Sequence, residues 1–285
     1  MLSSWGSRLR RIGWLAFRIG RMLLLSFLLA PVVLTAVMLP LENNLVYFPS
    51  SQITATPADY GLAYEELELT TADGLSLHAW ALPYDDDAPW LLYFHGNGQN
   101  ISHYLPFARS MRSLGLNIFM LSYRGYGQSE GSPSEAGLHQ DAMAAYQALL
   151  ERGVAPENIL LYGFSLGTGV AVQLAYRVQV AGVILEAPYT SLPDVARAAY
   201  GPWVPGFLMR NRFDSLAYIA GIDAPLLIMH SSQDRLIPLT QGRRLYAAAK
   251  APKTFLEMRG PHYVLLEGSF SDEVWQALRN FIGKI

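Results

Sequence analysis

Cysteine is absent from all 285 residues. That excludes disulfides, a thiol nucleophile and thiolate-held metals, though it does not by itself fix a compartment. Charge is also scarce: 15% of residues are Asp, Glu, Lys or Arg, and the formal net charge is −2. Outside an arginine-rich start the basic residues are scattered, which argues against a nucleic-acid partner. No internal repeat, phosphate-binding glycine loop or low-complexity tract interrupts the chain. His78, His95, His103 and His139 have no metal-ligand spacing, so neither a metal nor a cofactor is expected, and no obligate protein partner is evident. Asp85-Asp86-Asp87 reads as a solvated turn.

One absence is positional. After Arg8, Arg10, Arg11, Arg18 and Arg21, no Lys or Arg occurs until Arg109. Within that gap Met22–Leu39 is an uncharged, mostly apolar run of 18 residues, about long enough to cross a bilayer core. Membrane helices tolerate an interruption such as Pro31. The expected organisation is a basic cytoplasmic tail over 1–21, a transmembrane helix over 22–40 and a folded domain over 41–285. By the positive-inside rule the domain lies on the non-cytoplasmic side, which in a bacterium is the periplasmic face of the inner membrane. A cleaved signal peptide is the alternative, with Leu34-Thr35-Ala36 as a poor cleavage site. Ile12–Ile19, with Trp14 and Phe17 beside arginines, could lie along the inner interface.

What is present is chemical. Gly163-Phe164-Ser165-Leu166-Gly167 follows the apolar run Ile159–Tyr162 and leads into the helix-like Thr168–Leu174. Strand, sharp turn and helix with a serine at the apex form a nucleophile elbow, where the Leu166 N–H can face a developing oxyanion. An acid and a histidine should follow downstream, in that order. Pro225–His230 reads as a short strand emptying into the loop that carries Asp234, and Thr254–Met258 as the last strand before Arg259-Gly260-Pro261-His262. In this arrangement His262 takes the Ser165 proton and Asp234 fixes its tautomer. Glu186, closing the strand over 182–185, is a rival acid, and His230 reads as packing or loop support. A second oxyanion donor is expected from the loop after Trp90–Phe94, assigned to the N–H of Asn97, with His95 bracing that turn.

Strand-like and helix-like stretches alternate from Tyr64 to Ile282, beginning with a hairpin around Ala72-Asp73-Gly74. Such alternation predicts an α/β fold: a mostly parallel sheet of about eight strands with helices on both faces. The stretch 189–222 breaks the rhythm and is expected to be a small cap. Within it Trp203, Phe207 and Leu208 are candidates to line an acyl-binding groove or to dip toward a bilayer, ordinary crossover packing being the alternative. Asp141 reads as solvated or locally hydrogen-bonded.

The elbow, His95-Gly96-Asn97-Gly98, the stretch Tyr123–Pro133, the Asp234 loop and Gly260-Pro261-His262 together resemble the α/β-hydrolase superfamily over residues 45–285. The branch most similar is that of membrane-anchored α/β-hydrolase-domain-containing serine hydrolases, which includes lipases, lysophospholipases, depalmitoylases and serine aminopeptidase-like relatives. The resemblance implies hydrolysis of a lipid or other amphiphilic ester through an acyl-serine. It also implies that Arg124 supports the site from below; a surface arginine capping a turn is the alternative. Ser122 departs from the Asp or Asn that relatives often carry there. A peptidase or amidase on the same triad, or a non-catalytic membrane scaffold, are the competing functions.

Overall fold

The computed structural model describes residues 14, 17–26, 29, 41–265 and 270–285. The chain divides into two units, Met1–Glu42 and Asn43–Ile285. In the first, residues 17–26 are helical. Among the described residues no helix is long and apolar enough to cross a membrane. Most of the expected span over 22–40 lies outside them, since residues 27, 28 and 30–40 are not described.

The second unit is built on eight strands: β1 (Glu65–Thr70), β2 (Ser76–Leu82), β3 (Trp90–Phe94), β4 (Asn117–Leu121), β5 (Ile159–Phe164), β6 (Gly182–Glu186), β7 (Leu226–Ser231) and β8 (Lys253–Met258). Their order across the sheet is β1-β2-β4-β3-β5-β6-β7-β8. The β1–β2 and β2–β4 pairs are antiparallel and every other pair is parallel. Strands with apolar side chains at every position suit a sheet covered on both faces. Alternation then divides those side chains between two cores. Leu92 and Phe94 of β3, with Leu161 of β5, enter one core; Leu91, Tyr93 and Tyr162 enter the other.

Helices close both cores. On the first face pack α2 (Glu135–Glu151), α3 (Leu166–Ala175) and α6 (Leu239–Ala248), through Leu138, Val170 and Leu245 among others. The second face is covered by α1 (Leu105–Arg112) and α7 (Asp272–Ile282), through Phe107, Met111, Leu278 and Phe281. The helix expected over 102–114 begins as a 3-10 turn at Ile101–Tyr104, capped by the Asn100 side chain accepting from the Ser102 N–H at 3.0 Å. Helix α6 has no clear sequence signal, because Gly242 and the adjacent Arg243 and Arg244 blunt its apolar pattern. Gly242 sits there for contact: a Cβ on it would stand 2.4 Å from His230 Nδ1.

The expected cap is an insertion between β6 and β7. It carries α4 (Leu192–Tyr200), a 3-10 turn at Gly206–Leu208 and α5 (Ser215–Tyr218). Parallel strands with helical crossovers leave every βα loop at one edge of the sheet, where open α/β sheets gather their functional groups.

Candidate active site

Ser165 lies between β5 and α3 with φ 50° and ψ −117°, a conformation that costs a non-glycine residue of order 1–3 kcal/mol. The surrounding packing enforces it. A Cβ on Gly167 would stand 2.0 Å from the carbonyl oxygen of Phe94, and one on Gly163 2.5 Å from that of Gly167. Only glycines allow β3, β5 and α3 to approach so closely. The strained turn is held by the Ser165 N–H, which donates to the Glu186 carbonyl at 3.0 Å, and by the Thr168 hydroxyl, which donates to the Ser165 carbonyl at 2.7 Å.

The structure brings the three expected side chains together. Ser165 Oγ is 2.8 Å from His262 Nε2, and His262 Nδ1 is 2.6 Å from Asp234 Oδ2. The order of bonding assigns the tautomer: a carboxylate accepts, so Nδ1 carries the proton and Nε2 accepts from the serine. Asp234 Oδ1 accepts the N–H groups of Leu236 at 2.8 Å and Ile237 at 2.9 Å. Burial pushes the Asp234 carboxyl up, but the two histidines beside it and its main-chain bonds outweigh that and hold it well below the usual carboxylate range.

Two loops carrying Asp234 and His262 are stitched together by residues that sequence patterns do not single out. The Ser231 hydroxyl donates to the Gly260 carbonyl. The Ser232 N–H donates to the Met258 carbonyl at 2.9 Å, and the Gly260 N–H to Gln233 Oε1 at 3.1 Å. The available signal is the polar run Ser231-Ser232-Gln233 directly ahead of Asp234. His230 is fully buried; its Nε2–H donates to the Ile237 carbonyl at 2.9 Å and lies 3.5 Å from Asp234 Oδ2. It supports the loop, as expected, and also places a polar hydrogen near the acid.

Glu186 does not reach the histidine as a rival acid. Its Oε2 accepts the Tyr162 hydroxyl at 2.7 Å inside the core. Burial pushes its carboxyl up to about 8, with the negative charge of Asp234 adding to the effect.

The loop after β3 is fixed by its side chains. His95 is fully buried against the Tyr123 ring at 4.2 Å between centroids, and its Nδ1–H donates to the Gly96 carbonyl at 2.7 Å. Burial lowers His95 to about 4, so it is neutral near pH 7 and braces the turn. Asn97 Oδ1 accepts from the Tyr126 hydroxyl at 2.8 Å and the Phe48 N–H at 3.0 Å, while its Nδ2 donates to the Val46 carbonyl at 2.6 Å. With the side chain so occupied, the main-chain N–H is the group left for an incoming oxygen. Leu166 is the first residue of α3, where helix geometry leaves the N–H without an intrahelical partner.

Two expectations need correction. Asp141 is neither solvated nor bonded locally: it is fully buried, accepting from Arg124 Nε at 2.8 Å and from the Arg124 main-chain N–H at 2.8 Å, 17 positions earlier in the chain. Arg124 does not follow the alternative reading of a surface cap: it is buried and also paired with Asp73 at 2.8 Å. Its neighbour Tyr123 donates to the His95 carbonyl at 3.0 Å, so this ion pair steadies the loop that supports His95 and Asn97. In the cap, Trp203 and Phe207 are 79% and 80% exposed and do not enclose a groove; Leu208 is half-buried. Too little of the cap packs over them, since α4 ends at Tyr200 and only a 3-10 turn follows before Ser215.

Among the described residues no group of three or more His, Asp or Glu could hold a metal ion.

Comparison with known proteins agrees with this architecture. The family model described as alpha/beta hydrolase fold matches residues 89–217. The alpha/beta hydrolase domain-containing protein WAV2 of Arabidopsis thaliana is 33% identical over 276 residues, covering 87% of this chain and 90% of that one. Among solved structures, an esterase of Pyrococcus furiosus superposes with a TM-score of 0.70 at 21% identity, covering 84% of this chain and 97% of that one. A puromycin-hydrolyzing peptidase of Mycobacterium tuberculosis superposes with a TM-score of 0.61 at 20% identity, over 79% of this chain and 39% of that one. A continuous relative at this identity, the matching family model and the strand order together make the chain a member of the alpha/beta hydrolase fold family.

Proposed function

We propose that this chain is a serine hydrolase that cleaves carboxylic esters through an acyl-serine intermediate, with Ser165 as nucleophile, His262 as base and then acid, and Asp234 as orienter. The observation that carries the reading is the unbroken chain from Asp234 Oδ2 to His262 at 2.6 Å and from His262 to Ser165 Oγ at 2.8 Å. In the first step Ser165 Oγ attacks the ester carbonyl carbon while its proton passes to His262 Nε2. The N–H groups of Asn97 and Leu166 stabilise the tetrahedral oxyanion, aided by the positive end of α3. Collapse of the intermediate expels the alcohol, which takes the proton from His262. Water then enters, gives its proton to His262 and attacks the acyl carbon, releasing the acid and restoring Ser165. The depressed Asp234 carboxyl stays ionised throughout, opposite the imidazolium that forms twice in the cycle.

Substrate class rests on address and surroundings. Met22–Leu39, preceded by arginines, supports a single-pass anchor with the domain on the non-cytoplasmic side, and an anchored hydrolase meets lipid or other amphiphilic esters first. The likeness in fold to an esterase agrees with ester chemistry, while the likeness to a peptidase keeps amide substrates in the test.

The test is labelling with a fluorophosphonate probe, wild type beside Ser165→Ala, followed by ester and aminoacyl-amide substrates of graded acyl length. Labelling confined to wild type, with esters turned over faster than amides, is the expected result. A folded wild type that takes no label would overturn the nucleophile assignment.

A further inference from the structure

The domain exposes its large apolar side chains unevenly. Helices that follow parallel strands run back across the sheet, so helix ends and strand ends mark opposite edges. At the edge away from Ser165 lie Leu150 and Tyr176 at the ends of α2 and α3, Tyr84 after β2 and Ile285 after α7, all between 38 and 54% exposed. At the catalytic edge the apolar exposure is greater and comes from four separate segments. The cap presents Tyr200, Trp203 and Phe207. Leu236, two residues beyond Asp234, and Tyr263, next to His262, are both more than half exposed. Leu45 and Phe48 protrude from the stretch 43–48, which is bound to the site at both ends. At one end Phe48 donates its N–H to Asn97, and at the other Asn43 Oδ1 accepts from Asn211 of the cap at 2.9 Å. Tyr47 reinforces that second attachment by donating to Asn211 Oδ1 at 2.7 Å.

Exposing this much Trp, Phe, Tyr and Leu on one edge is unfavourable in water, and aromatic side chains with a polar tip suit the level of lipid headgroups. Chain connectivity names the occupant. Asn43 is the first residue of the domain and stands four residues beyond Leu39, the end of the apolar run. Asn43 is held by Asn211, so the chain enters the domain beside the cap. We propose that this apolar rim is a bilayer-docking surface that sets the mouth over Ser165 directly against the lipid. The proposal rests on the anchoring reading above and adds to it an orientation: substrate enters from the membrane side, without passing through water.

Because the chain has no cysteine, single reporters can be placed cleanly in the full-length protein. Phe207→Cys, Trp203→Cys and, at the opposite edge, Leu150→Cys are each labelled with an environment-sensitive nitrobenzoxadiazole dye and reconstituted in phosphatidylcholine vesicles. Vesicle flotation reads anchoring on its own. Emission and its quenching by doxyl-labelled phosphatidylcholine then read the orientation. Blue-shifted emission with quenching several-fold stronger at positions 203 and 207 than at 150 is expected. Flotation with equal, weak quenching at all three positions overturns the docking surface while leaving anchoring intact. Failure to float overturns both. A blue shift that grows with protein concentration in detergent and is insensitive to doxyl lipid means a second copy covers the rim, and also overturns the proposal. None of these readings depends on esterase activity, so loss of the serine-hydrolase reading is detected separately by the phosphonate probe.

Discussion

The main-chain N–H of Ser165 donates to the carbonyl oxygen of Glu186 at 3.0 Å, pinning the strained elbow to the end of β6. The same residue keeps its carboxyl group in the core, on Tyr162. A residue that appears in no proposed catalytic step is therefore tied by its backbone to the main chain of the elbow.

That carboxyl gives a pH prediction. Its ordinary value of 4.5 is raised to about 8 by burial, so the folded state holds the proton more tightly than the unfolded chain. Stability from this group is full below pH 4.5 and is lost as pH rises through about 8. Glu186→Gln, which cannot ionise, should gain stability relative to wild type as pH climbs through that window. Thermal denaturation of both proteins across the range measures it; a constant difference between them refutes the assignment.

Strain at Ser165 predicts a trade of stability against chemistry. Glycine adopts φ 50° freely, so Ser165→Gly should raise the unfolding free energy by about 1 kcal/mol while removing the proposed nucleophile. Chemical denaturation of Ser165→Gly beside Ser165→Ala checks this, since alanine keeps the Cβ and should gain less.

Gly167 has no room for a side chain. A methyl carbon there would stand only 2.0 Å from the Phe94 carbonyl oxygen, so Gly167→Ala must push α3 away from β3. A loss of about 3 kcal/mol or more is expected, together with loss of phosphonate labelling. Unaltered melting and labelling would show that the two elements can part cheaply.

Arg124 and Asp141 form a buried pair; removing Arg124 leaves the Asp141 carboxylate uncompensated, whereas Arg124 keeps its Asp73 partner when Asp141 is removed. Arg124→Met should cost about 3–5 kcal/mol, Asp141→Leu less because Asp73 still faces the guanidinium, and the double variant less than their sum. A double-mutant cycle by urea denaturation measures the coupling; additive losses would mean the two do not act as a pair.

Beyond the oxyanion role proposed for its N–H, Asn97 holds neighbouring segments through its side chain. Asn97→Ala keeps the donor but releases the stretch 46–48 and Tyr126, so kcat should fall roughly tenfold with little change in KM, as expected when a transition-state donor is loosened. A fall expressed in KM alone would place Asn97 in ground-state binding instead.

Much of the site could be read from position alone. Ser165 directly follows β5, Asp234 and His262 lie three and four residues beyond β7 and β8, and strand ends in an α/β sheet share one edge. Asp141 could not be read that way. It lies on the mid-face of a helix, and nothing local distinguishes a carboxylate facing water from one facing a guanidinium 17 positions earlier. Trp203 and Phe207 escape sequence reasoning for a related cause: apolar composition states a preference for burial, but whether neighbours exist to provide it depends on how short the cap is.

The sequence by itself determined the succession of strands and helices, the elbow and the identity and order of the three polar side chains, because periodicity and turn chemistry are local properties of the chain. Only the tertiary structure decided which of them touch. Ser165 and His262 are 97 residues apart, and their 2.8 Å contact exists because β5 through β8 lie side by side in parallel and deliver their loops to one edge. The same packing buries Glu186 and Asp141, ties residues 43–48 to Asn97 and leaves Trp203 and Phe207 exposed, since burial and pairing depend on neighbours that sheet order brings together.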